Sequence, residues 1–195
     1  QLTFRGGWTV NVNPAVGSYA FDPAAYAGLR TSEAARDAGL AAFVPSARTA
    51  TTTSGFSVLT PQFRRFAASA GGAYGDDVDF AETSRVRRRD YNASLDLRPS
   101  ERLRVSATYA GTGFTRRRDG ESVLQTRIPR LRAEYQLARP VFVRVVSQYE
   151  SSRRAALRDP RTGSVLLVQA ADGSGFAPSV DSLLAIGAVG ARKVK

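Results

Sequence analysis

The chain has 195 residues, 28 of them Lys or Arg against 17 Asp or Glu, for a net charge of +11, and it holds no Cys, His or Met. Without Cys there are no disulfides and no thiol chemistry; without His there is no Ser-His-Asp or Cys-His nucleophile, and the commonest zinc ligand is gone. No run approaches the ~20 apolar residues of a spanning helix, which leaves open a membrane crossed by strands of about ten residues.

The chain opens on Gln1, which reads as a mature chain or an excerpt. A first strand is expected over residues 2–12, with Leu2, Phe4, Trp8 and Val10 on one parity. An irregular stretch rich in Ala, Gly, Ser and Pro follows over 13–50, and within it residues 31–43 have the cap and formers of a short helix. A second strand is expected over 52–59 and a third over 63–74. Gly75-Asp76-Asp77 begins a polar loop over 75–84. The fourth and fifth strands form the clearest hairpin, over 85–97 and 103–114. Tyr91, Ala93, Leu95 and Leu97 alternate with Asn92, Ser94 and Asp96, and after Arg98-Pro99-Ser100-Glu101 the alternation resumes through Leu103, Val105, Ala107 and Tyr109. A sixth strand covers 123–137, with Pro129 marking a bulge or break. A seventh covers 141–150, a long loop 151–182, and an eighth strand begins over 183–194.

Connections alternate between short turns (60–62, 98–101, 138–140) and longer loops (13–50, 75–84, 115–121, 151–182). Short turns on one rim and long loops on the other is the plan of an outer-membrane barrel. The expected fold is therefore all-β: an antiparallel up-and-down meander of seven or eight strands, a transmembrane β-barrel or part of one, with residues 1–195 as a single segment. On that plan one parity meets lipid and the other lines the interior. Asp96, Arg104, Arg130, Arg132, Glu134, Arg144 and Glu150 fall on the polar parity and are candidate lumen-facing charges, free to pair across strands. Trp8, Tyr74, Tyr91, Tyr109 and Tyr149 fall toward strand ends on the apolar parity, where an interfacial girdle sits. A soluble sheet with one face on a core and the other in water has the same alternation, and stays open as an alternative.

Every basic residue except Lys193 and Lys195 is Arg, for which codon bias in a GC-rich genome is the plain explanation. Arg87, Arg89, Arg116, Arg117 and Arg118 cluster at the long-loop rim as candidate contacts for outer-leaflet phosphates, since guanidinium forks suit phosphate; a solvated basic loop is the competing reading. Nucleic acid is not expected as a partner, because the aromatics are not interleaved with the arginines as stacking platforms. Asp76-Asp77-Val78-Asp79 lacks EF-hand spacing and reads as a polar turn rather than a calcium loop. Gly71-Gly72 and Gly75 do not open a helix and are no dinucleotide loop. No catalytic constellation, cofactor or metal is expected. A barrel enzyme would need Asp, Ser or Tyr clustered at the long-loop rim.

Four stretches carry a resemblance: LTPQFRRF at 59–66, DLRPSERLRV at 96–105, RIPRLRAEYQL at 127–137 and FVRVVSQY at 142–149. With their spacing they resemble the C-terminal barrel region of large bacterial outer-membrane proteins that carry an N-terminal carbohydrate-binding domain similar to family-nine modules. The resemblance covers roughly residues 57–161. It implies a piece of a longer barrel in the bacterial outer membrane, with the bilayer, its outer-leaflet lipids and a periplasmic glycan-binding domain of the same protein as partners. It implies a pore, receptor-like or anchoring role in solute uptake, glycan included, and transfers no catalytic residue. A soluble β-rich module binding polyanions or carbohydrate is the alternative.

Overall fold

The computed structural model describes residues 1–31, 39–138, 140–170, 173 and 175–179. The strands in chain order are β1 (Leu2–Thr3), β2 (Thr9–Ala20), β3 (Leu29–Thr31), β4 (Ala41–Ala42), β5 (Arg48–Leu59), β6 (Phe66–Asp79) and β7 (Ser84–Leu97). They continue with β8 (Leu103–Arg116), β9 (Ser122–Ala138), β10 (Val141–Gln148), β11 (Ser151–Arg154), β12 (Leu166–Gln169) and β13 (Phe176–Pro178). One antiparallel sheet runs β1-β2-β5-β6-β7-β8-β9-β10, with β11 also on β9, and a small sheet runs β13-β12-β3-β4. The large sheet is a meander, and among the described residues it does not close into a barrel.

The clearest alternation gives the longest ladders: β6 and β7 stay paired from Phe66↔Leu97 to Asp79↔Ser84. That extends β6 through Asp76 and Asp77 and leaves a four-residue turn at 80–83, so the expected 75–84 loop shrinks and the two rims differ less in loop length than expected. The first strand divides, because Gly6 and Gly7 take φ of +89° and +82° and fold Leu2–Thr3 back onto Thr9–Val10. The irregular region 13–50 is also revised. β2 passes through Pro14 and pairs with β5 to Ala20↔Arg48. Asp22 then caps a 3-10 turn over Pro23–Tyr26, its side chain accepting from the Ala24 N–H at 2.9 Å. Of the expected 31–43 helix, Thr31 is in β3 and Ala41–Ala42 form β4; its centre lies outside the described residues, as does the expected eighth strand.

Pro129 neither breaks nor bulges β9. Its carbonyl accepts from the Tyr149 N–H at 3.0 Å, so its own missing N–H faces the same neighbour. The gap therefore falls on the partner side, where the register continues from Gln148↔Arg130 to Ser151↔Arg127 across an unassigned pair of residues. β10 and β11 are one strand interrupted by that missing donor. The bulges of β9 sit elsewhere, at Leu137 opposite Val141/Phe142 of β10 and at Val123 opposite Phe114/Thr115 of β8.

The buried core gathers at one end of the large sheet. Tyr26, Leu29, Phe43, Ala81, Leu157 and Leu166 form a cluster with Phe21 and Val168 packed against it. The small sheet and the β6–β7 turn enclose it, and Tyr26 donates to the Phe80 carbonyl at 2.7 Å. Through the middle of the large sheet no second layer covers the apolar parity among the described residues: Leu131 is 49% exposed and Val145 60%.

Candidate functional site

Register decides which side chains share a face, because directly opposed residues of an antiparallel pair point the same way. Across β6 to β10 one face carries Phe66, Ala68 and Tyr74, then Tyr91, Leu95 and Leu97, then Val105 and Tyr109, then Leu131 and Tyr135, then Val143 and Val145. The other carries Ser69, Asn92, Ser94, Ser106 and Thr108 among its small polar residues. Tyr91 and Tyr109 stack at 5.8 Å on the apolar face. Gly111 lies beneath the Tyr91 ring, where an added Cβ would come within 2.3 Å of it.

The apolar stretch drifts along the ladder from strand to strand. Its upper edge is Val16 on β2, Tyr74 on β6, Tyr91 on β7, then Tyr109 on β8, level with Pro129. Tyr149, bonded to Pro129, keeps that level on the last strand. The edge falls by three ladder steps of two residues, about 20 Å, over six strand gaps of ~4.8 Å, so the strands lean roughly 35° from the normal of the band. The lower edge is level from Phe66 to Leu97 and falls by one step of two residues to Tyr135. An oblique band is what tilted strands give a slab, and here it is seven to nine residues high.

The candidate interior charges Asp96, Arg104, Arg130, Arg132, Glu134 and Arg144 all lie on the polar face. Glu150 lies between β10 and β11, exposed and outside both. Glu134 accepts from Arg132 and from Arg144 Nε at 2.5 Å, and Arg104 reaches Asp96 at 3.3 Å. Higher on the same face Arg88 joins Asp77 at 2.8 Å and Asp90 at 2.5 Å. Arg130 has no ion pair among the described residues. At the short-turn rim a cleft of about 860 Å³ is lined by Arg64, Arg65, Arg98, Arg102, Arg104 and Arg144 among others.

The rim arginines separate. Arg87 and Arg89 lie on the apolar parity, Arg87 over the Tyr74 ring at 5.6 Å from its centre. Arg116 lies on the opposite parity and is 6% exposed, held by Glu82, by Glu121 at 3.1 Å and by the Ala156 carbonyl at 2.7 Å. Its guanidinium is committed inside the protein, so the expectation of a phosphate contact there is withdrawn. Arg117 pairs with Asp76 at 3.4 Å, and Arg118 donates to the Thr162 carbonyl at 2.9 Å.

Sequence reasoning missed Glu82, the centre of the cap that the small sheet, the β6–β7 turn and the segment 155–166 form at one end of the large sheet, the ribbon. It is 1% exposed and accepts from Arg116, from the Arg158 N–H at 3.0 Å and from Ser84 Oγ at 3.1 Å. Asp79 nearby holds Arg154 at 2.7 Å and the Ala81 N–H at 2.8 Å. Asp76 and Asp77 belong to a strand rather than the expected turn, point to opposite faces, and are each taken by arginine. Among the described residues no three of His, Cys, Asp and Glu converge on a metal position, and no helix is long and apolar enough to cross a membrane. No family model matches the chain, and neither a curated protein nor a solved structure matches it.

Proposed function

We propose that the large sheet is a stretch of transmembrane β-barrel wall in a bacterial outer membrane, its apolar face against acyl chains and its paired charges toward a watery interior. The observation that carries this reading is the oblique apolar band, uncovered among the described residues and edged by Tyr74, Tyr91, Tyr109 and Tyr149 above and by Phe66 and Tyr135 below. Seven to nine strand residues at that lean span roughly 19–24 Å, near the ~25 Å apolar height of such barrels. Paired charges on the other face suit an aqueous wall, since an unpaired charge in hydrocarbon costs several kcal/mol. The role that follows is passage or capture of a solute, or anchoring of a glycan-binding domain, with the long-loop end as the recognition surface.

The chain has one tryptophan, Trp8. In a Trp8→Phe background refolded into bilayers, Leu95→Trp should be quenched by lipids brominated on the acyl chain, and Ser94→Trp, one residue away on the other face, should not. Equal quenching at both positions, or a protein monodisperse in buffer that ignores lipid, overturns the proposal. The second outcome favours a soluble module that binds polyanions or carbohydrate, for which the arginine-lined cleft at the short-turn rim is the site.

A further inference from the structure

The two faces treat arginine differently. On the polar face Arg88, Arg104, Arg132, Arg144 and Arg154 each hold a carboxylate. On the apolar face, just above the tyrosine edge, Arg89, Arg127 and Arg153 are exposed and Arg87 is half-buried, and none of the four has an ion pair among the described residues. The carboxylate on that face beside them, Asp76, opposite Arg87, is already taken by Arg85 at 2.8 Å and Arg117 at 3.4 Å. Four guanidiniums without counter-charge among the described residues, at the border of a greasy surface, suit an anion from outside the chain.

The ladder also gives them a receptacle. Arg89 on β7 stands level with Gly113 on β8, Gln125 on β9 and Arg153 on β11. One step lower, Tyr91 stands level with Gly111 and Arg127. The β8 positions between the flanking arginines are thus Gly111 and Gly113, which raise no side chain. They floor a trough from Arg89 on β7 to Arg127 on β9, two strand gaps or about 10 Å away, and Arg153 stands one gap further, beyond Gln125. The Tyr91 ring covers Gly111 at its lower end, and below it the apolar band runs down the sheet.

We propose that Arg87, Arg89, Arg127 and Arg153, around the Gly113 floor above the Tyr91 ring, bind the phosphorylated head of a membrane lipid whose acyl chains lie down the apolar band. Guanidinium forks match phosphate oxygens bidentately, and the tyrosine edge sets the depth at which head gives way to tail. This rests on the membrane reading above.

The test is native mass spectrometry of the full chain refolded in detergent and titrated with phosphatidic acid, with phosphatidylcholine and inorganic phosphate as separate arms. Phosphatidic acid should bind at least tenfold tighter than phosphatidylcholine, and inorganic phosphate at equal concentration should not displace it. Each arginine removed should weaken binding about fivefold, and Arg89→Ala with Arg127→Ala and Arg153→Ala on the order of a hundredfold. Arg130→Ala, at an arginine on the opposite face with no ion pair among the described residues, should leave it unchanged. No preference for phosphatidic acid, or an unaffected triple variant, overturns the site even where Leu95→Trp is quenched by brominated lipid. Free phosphate competing as well as the lipid also overturns it, replacing the lipid with a soluble phosphate. Loss of the quenching contrast between residues 94 and 95 defeats the membrane reading itself.

Discussion

The cap and the ribbon of this molecule obey opposite rules. In the cap, Leu157 and Leu166 are 1% and 0% exposed and charges are buried in pairs. In the ribbon, side chains of the same kind stand half exposed on one face and the ion pairs lie open on the other. Both are built from β-strands, so strand propensity does not separate them. The difference is what each surface is prepared to touch. The cap carries its own interior, and its stability is set by packing and satisfied polar atoms. Among the described residues the ribbon has backbone ladders and little else of its own, and on the reading proposed above its burial comes from lipid.

The largest break in that comparison is expected at Glu82. Glu82→Ala leaves the Arg116 guanidinium buried beside Ala156 with only the exposed end of Glu121, and orphans the Arg158 N–H. Removing one partner of a buried pair costs about 3–5 kcal/mol. That loss should appear as faster amide exchange across β12 and the ends of β7 and β8, while the ladder around Ala93↔Tyr109 keeps its protection. Equal loss in both regions would mean that cap and ribbon are one cooperative unit. A milder loss with Glu82→Gln, which keeps an acceptor for Arg116 but not the charge, would attribute the effect to hydrogen bonding, and an equal loss would attribute it to charge.

A smaller and opposite contrast is expected within the ribbon. Leu95→Arg puts a charge at mid-band on the apolar face and should lower folding stability in bilayers by about 2–4 kcal/mol. Ser94→Arg, one residue away and facing Ser69 Oγ at 2.7 Å from its own hydroxyl, exchanges one polar contact for another and should cost under about 1 kcal/mol. Urea titration in lipid vesicles measures both. If the two costs are equal, the faces do not meet different solvents.

How far each region was legible follows from the same difference. The ribbon shows in the sequence because a two-faced strand writes period two into its residues, and the 91–97 and 103–109 runs alternate without a fault. β2 beyond Val12 and the start of β5 did not show, because Pro14, Gly17, Ser18 and Thr49 to Thr53 blur the contrast between faces. The cap was illegible for another reason. Its strands are two to four residues long, and they meet across more than a hundred positions, as Thr31 meets Leu166. Glu82 sits in a polar run with no periodic signal, and its partner Arg116 lies 34 residues away inside an arginine triplet that reads as a solvated loop. The five rim arginines looked alike in sequence. Only register separates Arg87 and Arg89, on the apolar parity, from Arg116, on the other. Arg127 and Arg153 join the first group through pairings that local pattern does not contain.

The smallest effect concerns the seam between the two regions, where Tyr26 of the cap donates to Phe80 in the β6–β7 turn. Burial, and next the negative charge of Asp79, push the Tyr26 phenol above its ordinary value near 10. The fold therefore favours the neutral phenol. The stabilisation this brings is fully present below the ordinary tyrosine value and is lost as pH rises through the raised folded value. Tyr26→Phe should cost about 1 kcal/mol at neutral pH through the lost hydrogen bond. It should also remove the part of the alkaline loss that belongs to this phenol. Proteolysis within 155–170, followed from pH 8 upward, should accelerate above about pH 10 in the unmodified chain and rise less steeply in the variant. Every other titrating group is common to both chains, so the difference between the two profiles belongs to Tyr26. Parallel profiles would place the alkaline weakness of the cap elsewhere and leave Tyr26 as a packing residue with a hydrogen bond.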